Sequence, residues 1–169
     1  MSRSAKHTAV RTAAAIIAAV MLFACASCSG TEGKVRKITS FESVTITVTN
    51  GRGWTEEYEI TGSEDGAVLS LYKGSWLYNE SVSKESDCLE GRREGGKELY
   101  EDIIALMNEC KVGSWNGFSK SAKNVLDGYM FTFTAKVNGG EKIYATGSNA
   151  YPRRYSEFRD VVTEIIKGN

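Results

Sequence analysis

Hydrophobic and polar positions alternate in two separate stretches of the chain. In Phe41–Asn50 (FESVTITVTN), Val44, Ile46 and Val48 alternate with Thr45, Thr47 and Thr49, the period-two pattern of a half-buried strand. Trp54, Tyr58 and Ile60 continue the pattern at even positions. A three-residue loop at Asn50-Gly51-Arg52 pairs Val48 with Trp54 and Val44 with Tyr58, and sets Glu56 opposite Ile46 on the buried face. Gly66 to Tyr72 reads as a third strand, which Ser75 to Asn79 either extends or follows as a fourth. Further on, Tyr129, Phe131, Phe133, Ala135 and Val137 alternate with Met130, Thr132, Thr134 and Lys136. After Asn138-Gly139-Gly140 come Ile143, Ala145 and Gly147. Another three-residue loop matches odd positions to odd positions, with Gly140 supplying the left-handed conformation of a bulged turn.

The helical period appears twice. Leu99, Ile103, Leu106 and Cys110 fall at i, i+4, i+7 and i+11, widened by Ile104 and Met107, so Lys97 to Cys110 predicts an amphipathic helix that Gly113 ends. A second helix opens at Pro152 and buries Tyr155, Phe158, Val162, Ile165 and Ile166. Polar residues from Glu80 to Lys97, and the run SKSAKNVLDG after Trp115–Phe118, read as loops. The fold class these elements predict is α+β: a two-layer sandwich of one antiparallel sheet, about five or six strands in two hairpins, with two helices packed on one face.

The N-terminus adds an address. Residues 1–11 hold Arg3, Lys6 and Arg11 and no acid, and residues 13–24 are wholly apolar. A basic start and a short apolar core mark a secretory signal peptide. Twelve apolar residues are too few for a bilayer, which needs about 20 in a helix. The junction Leu22-Phe23-Ala24-Cys25 resembles the lipobox of bacterial lipoproteins. That resemblance implies cleavage before Cys25 and a diacylglyceryl (palmitate-type) anchor on its sulfur, with Cys28 as the alternative acceptor. The expected organisation is therefore a removed signal at 1–24, a lipid-anchored tether at 25–37 and a single globular domain at 38–169. The C-x-x-C spacing of Cys25 and Cys28 lies at this junction, where a thioredoxin-like or zinc role has no folded context.

Charge and composition narrow the chemistry. Loss of residues 1–24 removes three of the 21 basic residues and none of the 21 acidic ones, leaving 145 residues with net charge −3. No basic stripe offers a nucleic-acid footprint; Arg92-Arg93 and Arg153-Arg154 are isolated pairs. The one histidine, His7, lies in the signal. The mature chain therefore lacks Ser-His-Asp and Cys-His catalysis and histidine metal ligation, and neither a metal nor a cofactor is expected. In an exported protein Cys88 and Cys110 can form a disulfide; two buried free thiols are the alternative.

Catalytic patterns are incomplete. Ser81-Val82-Ser83-Lys84 has the S-x-x-K spacing of penicillin-recognising serine enzymes but lacks their partner motifs. The acids Glu57, Glu59, Glu101 and Asp102 are expected to face solvent, while Glu56 is the carboxylate the pattern turns inward. Tyr72, Trp76, Tyr78, Trp115 and Phe118 are the candidate ligand-binding aromatics, against the simpler reading that they fill the core. Residues 115–155 resemble a loose group of small bacterial lipoprotein domains, a likeness that implies fold and address and brings no site residues. The function expected is a non-catalytic, lipid-anchored binding domain on the extracytoplasmic face of the cell or outer membrane, meeting an envelope protein or cell-wall glycan. A small carboxylate-based hydrolase of the envelope and a structural assembly lipoprotein are the alternatives.

Overall fold

Alternation of threonine with aliphatic and aromatic residues produces the central pair of strands. In the computed structural model, which describes residues 36–77, 79–123 and 128–168, β1 (Phe41–Asn50) lies between β2 (Thr55–Ser63) and β6 (Tyr129–Val137). Around them stand β3 (Gly66–Gly74), β4 (Leu89–Gly96), β5 (Ser119–Ser121) and β7 (Glu141–Ser148). Their order is β4-β3-β2-β1-β6-β7-β5, so the two hairpins join through the antiparallel β1–β6 pair. The helices are α1 (Lys84–Asp87), α2 (Lys97–Glu109) and α3 (Tyr155–Lys167). The fold class is α+β.

The sheet departs from expectation in three ways. It has seven strands, because β4 forms from LEGRREGG, where glycine and charge replace the alternation that marks a strand. It is mixed, because the short β5 runs parallel to β7. Finally, the first hairpin is set two residues out from the predicted register: Val48 faces Glu56, Ile46 faces Tyr58 and Val44 faces Ile60. The reason is a wider turn. The Asn50 side chain accepts hydrogen bonds from the backbone N–H of Arg52 at 3.0 Å and of Trp54 at 2.9 Å, and Gly53 takes the positive φ of 82°. A slip of two preserves which face is buried, so Val44, Ile46, Tyr58 and Ile60 are in the core as predicted, while Trp54, predicted to continue that face, precedes β2 and is 49% exposed. The second hairpin has the predicted register, with Phe133 opposite Ala145, Ala135 opposite Ile143 and Gly140 at φ 113°.

One hydrophobic cluster contains Val44, Ile46, Tyr58 and Ile60 of the first hairpin and Phe131 and Phe133 of the second. It also takes in Ile103, Leu106 and Met107 of α2 and Phe158, Val162 and Ile166 of α3. Helix α2 occupies the predicted residues; α3 begins at Tyr155 instead of Pro152, after Arg154 in the left-handed region. Pro152 takes part in the preceding turn, where its carbonyl accepts the N–H of Tyr155 at 3.2 Å.

The chain enters this domain through a clamp. Asn108 at the end of α2 accepts the N–H of Ile38 at 2.9 Å and donates to its carbonyl at 2.7 Å. Asn138 in the β6–β7 turn accepts from Thr39 N–H at 2.8 Å and donates to the Lys37 carbonyl at 3.0 Å. Two side-chain amides thus satisfy backbone groups that have no strand partner. No helix among the described residues is long and apolar enough to cross a membrane. The predicted signal and tether, with Cys25 and Cys28, fall at 1–35 and lie outside the described residues, except for the last two tether positions, Arg36 and Lys37.

Candidate functional site

The face of the sheet that carries the threonines is polar, yet on β2 and β3 it buries Thr55, Glu57, Ser70, Tyr72 and Gly74. Register explains their meeting, since Glu57 stands directly opposite Tyr72. After Gly74 the chain leaves the sheet, turns through Ser75–Leu77 and returns at α1. Its base is closed where Lys73 donates its N–H to the Cys88 carbonyl at 2.8 Å. Compact surface loops with adjoining ends are frequent carriers of function.

Inside this loop α1 delivers Lys84. Its Nζ is paired with Glu57 and lies 2.5 Å from Glu59 Oε1; it also sits 4.5 Å from the centre of the Tyr72 ring and 5.8 Å from that of Trp76. Tyr72 and Trp76 meet edge to face at 6.5 Å. Thr47 donates its hydroxyl to Glu57 Oε2 at 2.9 Å, which fixes that carboxylate from the β1 side. Burial pulls the Lys84 ammonium toward neutrality, but the hydrogen bonds and charges of Glu57 and Glu59 outweigh it and hold its pKa above the ordinary value. The arrangement is a cage of two carboxylates and two aromatic rings around one ammonium.

This corrects the expectation that Glu57 faces solvent: it is 9% exposed and ion-paired. The chain alone could not reveal it, because the covering residue lies 27 positions away across a loop. The usable signal was the acids at two successive odd positions, Glu57 and Glu59, together with the neighbouring pair Tyr72 and Trp76; Lys84 stands apart from both in the sequence.

Of the four candidate aromatics among the described residues, Tyr72 and Trp76 meet ring to ring. Trp115 is 1% exposed, wedged against Phe133 at 5.0 Å and Phe158 at 5.7 Å, with its indole N–H donating to the Arg153 carbonyl. Phe118 packs partly buried on the same core. Tyr78 lies outside the described residues.

A second polar grouping surrounds Glu56. It is half-buried, as the pattern indicated, in a cleft of about 350 Å³ lined also by Tyr58, Lys73, Arg159, Asp160, Thr163 and Glu164. Tyr58 donates its hydroxyl to Glu56 at 2.7 Å, its oxygen is 2.9 Å from Thr163 Oγ1, and Lys73 pairs with Glu56 at 3.0 Å. Burial raises the Glu56 pKa, but the Tyr58 hydroxyl and Lys73 outweigh it, leaving the carboxyl below its ordinary value. Burial and the neighbouring carboxylate push the Tyr58 phenol well above its ordinary range.

Of the two states left open for Cys88 and Cys110, the structure has the free thiols and no bridge. Both are buried free thiols; Cys88 packs so closely on Gly74 that a methyl group there would overlap its sulfur, and burial pushes Cys110 up to about 12. Among the described residues no group of three or more His, Cys, Asp or Glu could hold a metal.

Exposed apolar side chains have a distinct distribution. Seven large ones are exposed among the described residues: Trp54, Leu77, Leu89, Tyr129, Met130, Tyr144 and Tyr151. All but Tyr144 lie at the end of the sheet where β1 and β3 finish and β2, β4 and β6 begin. Ile38 and its asparagine clamp lie at the other end.

No protein-family model, curated protein or solved structure matches the chain.

Proposed function

We propose that this is a lipid-anchored, extracytoplasmic binding domain, tethered through Cys25 at one end of its sheet and recognising an envelope partner or cell-wall glycan at the other. The observation that carries the reading is the separation of the two ends. β1 has ten residues, and at about 3.3 Å per residue it holds them roughly 30 Å apart. Exposed Trp and Tyr are costly to leave in water and are favoured anchors of recognition, either of proteins or of sugar rings. We read the architecture as two layers, with α2 and α3 on one face, because both helices share a core with the same alternate strand positions. That packing leaves the loops at the Trp54 end free for a ligand.

A carboxylate-based hydrolase is the less favoured reading. Its obvious acid, Glu56, is held ionised by Tyr58 and Lys73, whereas a general acid needs a raised pKa.

Trp54 is the exposed tryptophan of the three in the chain and reports directly on this end. Titration of the purified mature chain with soluble cell-wall glycan fragments, and separately with envelope proteins, should change Trp54 fluorescence saturably in one series. Absence of a response in both, together with turnover of a cell-wall substrate, would favour the hydrolase instead.

A further inference from the structure

We infer that the cage of Glu57, Glu59, Tyr72 and Trp76 is a binding site for an external primary ammonium group, held self-occupied by Lys84. This goes beyond the binding role above: the site lies on the polar face of the sheet and needs neither a lipid nor Trp54.

The geometry suits an alkylammonium better than a simple surface ion pair. Two carboxylates converge on one cation, so the site keeps a surplus negative charge even when Lys84 is present. The Tyr72 ring closes a third side at cation–π distance and Trp76 stands just beyond it. An ammonium offers three donors without a fixed fork, which fits two separate carboxylates and a ring face; a planar guanidinium prefers one bidentate carboxylate. Glu57 is sheltered and further fixed by Thr47, while the side chain of Glu59 is 41% exposed and gives an incoming amine its approach.

Lys84 is a replaceable occupant. It stands on a single helical turn, whose N-cap Ser83 makes no side-chain cap and is held by its N–H donating to the Asp87 carboxylate at 2.8 Å. The loop that carries it is tied to the sheet at its base by Lys73 and Cys88. A ligand amine that takes the place of Lys84 therefore needs only to compete with a tethered side chain, whose effective concentration is on the order of millimolar. Displacement would free Lys84 from both carboxylates and from the Tyr72 ring.

The test uses the purified mature chain with Trp54→Phe, so that Trp76 reports above a buried Trp115, and n-butylammonium chloride as probe against sodium chloride of equal ionic strength. Lys84→Met should bind butylammonium saturably and at least about tenfold more tightly than the chain with Lys84 in place. Adding Glu57→Gln should abolish that binding. A folded Lys84→Met chain that shows no saturable response, or binds no more tightly than its parent, overturns the inference. Should Lys84→Met unfold, butylammonium must restore its melting transition while sodium does not; failure to restore it also overturns the inference.

Discussion

The side-chain oxygen of Asn138 accepts the backbone N–H of Thr39 at 2.8 Å, joining the β6–β7 turn to a segment 99 residues earlier in the chain. The asparagine itself sits at φ 49°, a left-handed conformation that asparagine tolerates better than most residues. It thus shapes the turn and grips the incoming chain at once. Loss of this grip should loosen residues 37–40 without unfolding the sheet. Asn138→Ala is expected to cost about 1–2 kcal/mol and to speed amide exchange at Thr39 and Ser40, with β1 beyond Val44 unchanged, as read by hydrogen-exchange mass spectrometry.

Cys88 and Cys110 are expected to remain free and shielded. Alkylation of the native protein followed by peptide mapping should leave both unmodified, and both should react fully once the chain is unfolded. Reductant should not shift the melting temperature. A mapped Cys88–Cys110 disulfide would contradict the structure.

Acid should weaken the domain through Glu56. Its pKa is lower folded than unfolded, so the unfolded chain binds more protons in the interval and stability rises with pH across it. The contribution is complete above the ordinary value of 4.5 and is lost as pH falls through the lower folded value. Glu157, held down by the hydrogen bond and charge of Arg154, acts in the same direction. Glu56→Gln should flatten this acid limb in urea titrations. At the alkaline end the sign reverses: Cys110 is raised from 9.0 to about 12, so its contribution is lost as pH climbs through that range.

The aromatic core contains one unmet hydroxyl. Tyr155 Oη is buried without a hydrogen-bond partner, while its ring packs on Tyr151 at 4.7 Å and Phe131 at 4.6 Å. Tyr155→Phe should keep the packing and remove the desolvation cost, raising stability by about 1 kcal/mol. Trp115→Ala, by contrast, should cost about 3–5 kcal/mol, since it empties the centre of the same group. Urea denaturation of the two variants measures both signs.

What the chain disclosed of its fold followed from local periodicity. The threonine alternation of β1 and the aromatic alternation of β6 are period-two signals that survive any small error in turn length, because a slip of two leaves the same side chains inward. The turn itself did not disclose its width; that depended on the Asn50 carboxamide reaching Arg52 and Trp54. Strand β4 carried no signal, since Gly91, Gly95 and Gly96 leave few side chains to alternate and its place comes from pairing with β3. The cage was half legible. Tyr72 and Trp76 stood out as neighbours, but Glu57 and Glu59 looked like an ordinary solvated face until α1 brought Lys84 over them. Trp115 stood between a binding aromatic and a core one in the sequence, and its packing against Phe133 and Phe158 decides for the core.

Site-specific photo-crosslinking in the native envelope tests most directly the proposed separation of a tethered end of the sheet from a recognising one. A photoreactive residue placed at Trp54 or at Tyr129 should yield a discrete adduct with an envelope component. The same residue at Gly139, in the turn beside the clamp, should not yield that adduct. An adduct formed from position 139 and from neither 54 nor 129 would contradict the account.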